Sequence, residues 1–421
     1  MDYFRHAQGE YCAEDVPVSR IAAEIGTPFY CYSTATLTRH YRVFEESFKS
    51  LQPKPKICYA VKANGSLAVI ATLARLGAGA DVVSMGEIML AQAAGVQPRD
   101  IVFSGVGKTA EEMSFALKEG IFQFNVESEP ELRLLDEVAR GMGTRAPVAV
   151  RVNPDVAAGT HAKISTGGKE TKFGVGMAEA LPLYRVAADL KNISLQGVSV
   201  HIGSQLTSLA PFAEAFALVR DFVLQLRKEG IPVHTVDLGG GLGVPYGREE
   251  PPLPAAYAEI VQRTMADLGV QLVFEPGRVL AGNAGILVTR VIYVKRGQGR
   301  TFVVVDAGMN DLLRPTLYEA YHEIVPVVES KGTPEAVDVV GPVCETGDIF
   351  AEGRKLPLPR AGDLLALRTA GAYGASMAST YNARPMIAEV MVNGKEYAVV
   401  RPRQTYEELI GAGRLPGWLT A

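Results

Sequence analysis

The chain has 421 residues, 48% hydrophobic and 21% charged, the composition of a folded globular protein of roughly two or three domains. Its 42 basic and 46 acidic side chains leave a net charge of -4, which gives no reason to expect nucleic acid as a partner. The four cysteines, Cys12, Cys31, Cys58 and Cys344, lie far apart and form no C-x-x-C pair; that argues against a metal site or a disulfide framework and fits a reducing cytosol.

The N-terminal stretch MDYFRHAQGEY is polar and lacks the basic and apolar regions of a signal peptide. No uninterrupted apolar run of about 18 residues occurs; the stretch 85–96 is broken by Glu87 and Gln92 and reads as a soluble helix. A soluble, cytoplasmic protein without a membrane partner is expected.

From there the chain alternates short apolar strands with longer helical segments. The predicted strands are 57–61, 80–84, 101–104, 123–126, 148–152, 197–202, 235–238 and 272–274. Helical spacing falls between them, at 67–76, 86–94, 110–118, 129–140 and 211–228. Strand–helix alternation predicts βαβ units and a parallel sheet; about eight units is the count of a TIM barrel, with an open doubly wound sheet as the other solution. After about residue 285 the texture becomes β-rich with short turns, and Asn393-Gly394 between two such runs marks a hairpin. This predicts a mostly antiparallel second domain, to which residues 12–32 add a strand. Two loops stand out: the glycine-bearing 153–173, long enough to be functional or mobile, and the proline-rich 247–254, read as ordinary surface.

In a barrel the chemistry sits where strands end. The first strand runs into Tyr59-Ala60-Val61-Lys62-Ala63-Asn64; a partly buried lysine there is a candidate Schiff-base former, or simply a snorkelling strand-end lysine. The sixth ends in His201-Ile202-Gly203-Ser204-Gln205, a flat ring beside a hydroxyl. The seventh ends in Asp237-Leu238-Gly239-Gly240-Gly241-Leu242-Gly243, whose glycines let backbone N–H groups converge on an anion; it is not a dinucleotide fingerprint. The eighth ends in Glu275-Pro276-Gly277-Arg278, and loops after strands seven and eight are the habitual phosphate site of such barrels. A lysine, a stacking ring, an anion cradle and a carboxylate together match what pyridoxal phosphate requires. In the second domain, Cys344 lies in a loop-like run, Gly341–Asp348, and reads as an exposed thiol. Arg314 and Tyr318 lie in Asp311–Tyr321, where a surface reading stands beside a binding one.

Over about 28–401 the sequence resembles the diaminopimelate decarboxylases. The matching motifs are YAVKAN (59–64), SMGE (84–87), FSGVGK (103–108), HIGSQ (201–205), DLGGGLG (237–243), EPGR (275–278), DAGMNDLLRPTLY (306–318), GPVCETGD (341–348) and GAYGASMASTYNARP (371–385). Several of these are shared with barrel-type pyridoxal-phosphate decarboxylases at large. LLRPTLY combined with Cys-Glu is more selective, since ornithine-type relatives usually place Asp after that cysteine.

The resemblance implies an alanine-racemase-like (β/α)8 barrel over 28–285 and a β domain from 1–27 and 286–421, the latter contributing to the substrate site and a homodimer interface. It implies decarboxylation of meso-diaminopimelate to L-lysine, the last step of lysine biosynthesis, with pyridoxal 5'-phosphate as cofactor. Lys62 would carry the cofactor; Asp81 would lie beside it, His201 would stack on its ring and Glu275 would meet its ring nitrogen. Ser204, Gly239, Gly240, Gly241, Pro276, Gly277 and Arg278 would surround the phosphate. Arg278, Arg314, Tyr318 and Tyr373 would surround the substrate, Tyr373 also reaching the cofactor. Cys344, the proton donor, and Glu345, facing the distal ammonium, would come from the partner chain. The loop 153–173, with His161, Lys163 and Lys172, would close over the site. One position departs from the family: Met386 stands where a second arginine often follows Asn-x-Arg-Pro. The rival readings are a barrel decarboxylase for ornithine, arginine or a carboxylated polyamine, a racemase on the same scaffold, and a non-catalytic homologue.

Overall fold

The structure, a computed structural model, describes residues 2–157, 172–330 and 332–420. The chain forms two compact units, one of Leu37–Leu280 and one of Met1–Thr36 with Ala281–Ala421.

The first unit holds the eight predicted strands: β1 (Lys56–Ala60), β2 (Gly79–Val82), β3 (Ile101–Phe103), β4 (Gln123–Val126), β5 (Ala146–Asn153), β6 (Ile193–Val200), β7 (Thr235–Asp237) and β8 (Gln271–Phe274). Each pairs in parallel with the next, and β8 returns to β1 through Val273↔Lys56, so the sheet closes into a barrel and leaves no edge. A two-residue strand, Val175–Gly176, pairs in parallel with the C-terminal end of β5, at Val152 and Asn153.

The intervening helices pack one apolar stripe inwards. In Glu129–Gly141 the buried Leu132, Leu135 and Ala139 recur at three- and four-residue intervals, and each buried leucine contributes about 2 kcal/mol. Side chains fix the starts: Ser84 accepts from the Glu87 N–H at 3.2 Å, and Thr109 and Glu112 form a reciprocal capping box. Outside the barrel wall, Phe274 at the end of β8 packs on the surrounding helical layer, its ring centroid 4.2 Å from that of Phe48 and 6.1 Å from that of Tyr257. The C-terminal ends of β1, β6, β7 and β8 run into the turns that carry Lys62, His201, Gly239–Gly241 and Glu275.

The second unit is built around one long strand, Gly285–Arg296. Its first five residues are buried because they are flanked by Phe29–Ser33 and Leu364–Leu367; its second half, paired with Thr301–Val305, becomes increasingly exposed. Most pairings are antiparallel, as expected, including the hairpin Ala388–Asn393 with Glu396–Arg401. Among the described residues two are parallel: Phe29–Ser33 with Ala388–Asn393, and Thr301–Val305 with Pro334–Val340. Alternation splits the faces of Phe29–Ser33. Phe29 and Cys31 enter the apolar core with Ile286, Val288 and Val390, whereas Tyr30 and Tyr32 donate their hydroxyl hydrogens to Asp311 O and Glu389 Oε2, both at 2.6 Å. Residues 4–17 form a separate three-stranded sheet. Among the described residues no helix is long and apolar enough to cross a membrane.

Candidate active site

Lys62 stands on the 3-10 turn Val61–Ala63, directly after β1. The turn is tied by the Tyr59 hydroxyl, which donates to Asn64 O at 3.1 Å, and by Asn64 Oδ1, which accepts from the Ser66 N–H at 3.0 Å. The Lys62 ammonium pairs with Asp81 Oδ2, an inward-facing carboxylate of β2 that is fully buried. The other oxygen of Asp81, Oδ1, is buried and accepts no hydrogen bond from the described residues.

Across the barrel a chain of polar side chains orients a second set of acids. Thr235 donates to Gln123 at 2.7 Å, and Gln123 donates to Asn125 Oδ1 at 2.8 Å. That turns the Asn125 amide nitrogen towards Asp237 at 2.8 Å, Ser104 at 3.1 Å and Glu275 at 3.3 Å. Ser104 donates to Glu275 at 3.2 Å. The Asp237 and Glu275 carboxyls also hydrogen-bond each other, and burial raises the pKa of both; for Glu275 the charges of Asp237 and Asp81 add to the effect. Like charges this close cannot both ionise in a dry interior, so the pair retains a proton.

His201 follows β6. The Gly240 N–H donates to its Nδ1 at 3.2 Å, which requires a bare nitrogen there. Enclosure, the Arg151 guanidinium and the Lys62 ammonium together hold the pKa of the imidazole well below its ordinary value. The ring is therefore neutral, as a stacking surface should be. Arg151 also donates to His201 O at 3.4 Å and is paired with buried Glu127 at 3.0 Å. Glu127 further accepts from the Gly105 and Gly174 N–H groups, both at 3.0 Å.

The glycines after β7 are required by close approach. A Cβ at Gly240 would lie 2.3 Å from Glu275 O, and one at Gly241, where φ is +108°, would lie 2.5 Å from Gly203 O. Leu206 N–H donates to Gly241 O at 2.9 Å and lays the 203–206 turn against this loop. Arg278 donates to Ser204 Oγ at 3.0 Å and to the Tyr246 hydroxyl at 2.5 Å. Pro276 O accepts from the Ala60 N–H at 3.2 Å, and a Cβ at Gly277 would meet Ala63 and Ala60 at 3.0 and 3.1 Å, so the turns after β1 and β8 touch.

In the other unit, the loop Gly341–Asp348 is wound around the Asp348 carboxylate, which accepts from the Met309 N–H at 2.6 Å and the Val343 N–H at 2.7 Å. The winding leaves Cys344 and Glu345 exposed. The Cys344 N–H donates to Asn382 Oδ1 at 2.8 Å, and Glu345 accepts from the Tyr381 hydroxyl at 3.2 Å. Arg314, for which a surface position had been one reading, is buried and donates to His322 at 2.9 Å. Tyr318 closes the same short helix, Arg314–Tyr318, half-buried. Tyr373 is half-buried at φ +56°, a left-handed conformation rare for its type. Of the predicted covering loop, His161 and Lys163 lie outside the described residues; Lys172 stacks its ammonium 5.3 Å from the Phe173 ring.

Sequence reading did not single out Asn125, Ser104, Glu127, Arg151 or His322, and gave Asp237 no role beside Glu275. The available signal was a polar or charged residue interrupting an apolar strand, as in Gln-Phe-Asn-Val and Val-Ala-Val-Arg-Val.

Comparison with known proteins agrees with this geometry. Residues 34–282 match the family described as pyridoxal-dependent decarboxylase, pyridoxal binding domain. The chain is 50% identical to diaminopimelate decarboxylase of Zymomonas mobilis, covering 99% of both chains, and 48% identical to that of Vibrio cholerae, covering 97% of this chain and 98% of the relative. The crystal structure of diaminopimelate decarboxylase from M. jannaschii in co-complex with L-lysine superposes with a TM-score of 0.95 at 38% identity over 99% of each chain. The Helicobacter pylori enzyme complexed with L-lysine gives 0.91 at 41% identity, covering 94% of this chain and 98% of that one.

The residues present fit a pyridoxal group. Among the described residues no donor reaches the buried Asp81 Oδ1, and lysine, guanidinium, neutral imidazole and buried acid supply the complementary chemistry.

Proposed function

The chain belongs to the pyridoxal-dependent decarboxylase family and, within it, to the diaminopimelate decarboxylases; from that premise we propose that it converts meso-diaminopimelate to L-lysine and CO2, the last step of lysine biosynthesis. The observation that carries the reading is the Lys62–Asp81 pair at the end of β1, in the same barrel as a neutral His201 and a buried Glu275.

Lys62 would attach the cofactor and, once the product forms, release it. Asp81 holds the ammonium in place and offers its second oxygen as an acceptor. His201 would lie against the cofactor ring, and Glu275 would meet the ring nitrogen, its position set by Ser104 and Asn125. Ser204, Gly241, Gly277 and Arg278 would hold the phosphate through a hydroxyl, backbone N–H groups and a guanidinium, with Gly239, Gly240 and Pro276 shaping the turns around it; the Gly239 and Gly240 N–H groups donate to Asp237 and His201. When bound, the cofactor supplies an electron sink for the pair left by departing CO2. Cys344 Sγ would give its proton to that carbon, a role supported by its exposure.

Diaminopimelate has a second amino-acid end, which needs a cation for its carboxylate and an acid for its ammonium. Arg314 and Glu345 supply that pair, with Arg278, Tyr318 and Tyr373 around the rest and Tyr373 also reaching the cofactor. The family resemblance supports a homodimer in which Cys344 and Glu345 serve the partner's site. Four cysteines free of disulfides support a cytoplasmic setting.

The test is CO2 release by the purified protein with pyridoxal phosphate, offered meso-diaminopimelate, ornithine, arginine or L-lysine. Release from diaminopimelate alone, with L-lysine as product, is expected. Release from ornithine or arginine instead would move the assignment to another barrel decarboxylase. Cofactor loading without any release would leave the scaffold and remove the substrate.

A further inference from the structure

His322 is fully buried, and both of its ring nitrogens are engaged. Nε2 lies 2.9 Å from Arg314 Nη1, and Nδ1 lies 2.8 Å from Arg368 O. A guanidinium carries only N–H donors, so the nitrogen facing it must be an acceptor. The ring that satisfies both contacts is therefore the neutral Nδ1–H form, donating to the carbonyl and accepting from the arginine.

The carbonyl end of this relay is fixed by the fold. Ile324–Pro326 pairs antiparallel with Leu364–Leu367, and Arg368 N–H continues the ladder to Glu323 O at 2.8 Å. The Arg368 side chain is clamped by Glu323 at 2.7 Å and Asp2 at 3.1 Å. His322 O accepts from Arg354 at 2.7 Å, so backbone and ring are both held. The arginine end is set by a short helix that stops at Glu319, in the left-handed conformation, and turns the chain so that residue 322 comes back to residue 314. One N–H of a planar fork held by a fixed acceptor sets the plane of the whole guanidinium.

We propose that His322 is a positioning residue that aims the Arg314 guanidinium at the carboxylate of the substrate's non-reacting end. The proposal rests on the reading of Arg314 given above. His322 itself touches neither the reacting carbon nor the cofactor. Its contribution is to pre-orient a buried cation, which spares the substrate the ordering of a long side chain.

L-lysine keeps the carboxylate in question, whereas pentane-1,5-diamine is the same ligand without it. The test measures inhibition by each ligand of the cofactor-loaded, full-length enzyme. His322→Asn keeps a donor for Arg368 O and loses the acceptor for Arg314; His322→Gln carries an amide oxygen out to the Nε2 position. In H322N, L-lysine binding and kcat/KM for diaminopimelate are expected to weaken roughly 10- to 100-fold, with diamine binding changed less than about threefold. H322Q is expected to recover L-lysine binding to within about threefold of wild type. Equal losses for both ligands in H322N, or no loss for either, would overturn the proposal, as would H322Q as impaired as H322N. A wild-type enzyme that does not prefer L-lysine over the diamine would overturn it through its premise, the role of Arg314, and is recognisable because no variant is needed to see it.

Discussion

The barrel end and the Gly341–Asp348 loop carry their chemistry in opposite ways. In the barrel, Lys62, Asp81, Asn125, His201, Asp237 and Glu275 are held by one another, and several titrate far from their ordinary values. In the loop, only the scaffold is tightly held: Asp348 is buried and accepts a backbone N–H on each oxygen, while Cys344 and Glu345 are exposed. A cofactor that stays bound through many turnovers is served by groups fixed in advance. A substrate that comes and goes is served by groups that are accessible. Substitutions in the barrel should therefore disturb the cofactor first, and substitutions in the loop should disturb turnover while leaving the cofactor bound.

The sharpest break of this contrast is Lys62→Ala. It is expected to abolish covalent cofactor attachment and lower CO2 release by about 10³-fold or more, read from the absorbance of the bound cofactor and from turnover. A variant that still releases CO2 at a tenth of the wild-type rate would remove Lys62 from the chemistry. Next comes Glu345→Ala, expected to lower kcat/KM for diaminopimelate about 10- to 100-fold with cofactor affinity intact. Unchanged kcat/KM would take Glu345 out of the substrate site; lost cofactor would erase the contrast between the two regions.

The smallest effect concerns pH. Burial raises the Glu87 carboxyl from its ordinary 4.5 to about 7, opposed in part by the Val83 N–H and the Lys62 charge. Between those values the unfolded chain ionises while the folded chain keeps its proton, so stability falls as pH rises through this window. Glu87→Gln has no proton to lose there. Its apparent Tm relative to wild type should rise by roughly 1–3 °C from about pH 5 to about pH 8, measured by a thermal scan. A constant difference across that range would show that the carboxyl does not titrate inside it.

Much of the fold was legible because it is written locally. The eight barrel strands are short, mostly apolar runs, and each overlaps the position where the alternation placed it. The glycines after β7 were legible for the same reason, since a run of three announces a backbone that must approach something. Phe29–Ser33 was only dimly visible because its partners, Gly285–Arg296 and Ala388–Asn393, lie far away in the chain. Ile349–Pro357 was missed because Ala-Glu-Gly-Arg-Lys reads as a turn, yet it is held by seven-residue Pro334–Val340 alongside. The site divides in the same manner. Strand-end residues such as Lys62 and Glu275 announce themselves by position. Asn125 and His322 act through the groups they hold, and which groups those are is decided only when β4 meets β7 and β8, or when residue 322 folds back on residue 314.

Burying Asp81, Asp237 and Glu275 in one barrel, with Lys62 paired to the first, makes the interior a costly place for its own charges. A ligand that satisfies those groups binds the folded chain and not the unfolded one, so it holds the protein together by mass action, by about 2.7 kcal/mol at a hundred times its dissociation constant. The enzyme's resistance to heat is thereby tied to vitamin supply: the melting temperature of the chain becomes a gauge of how much cofactor surrounds it.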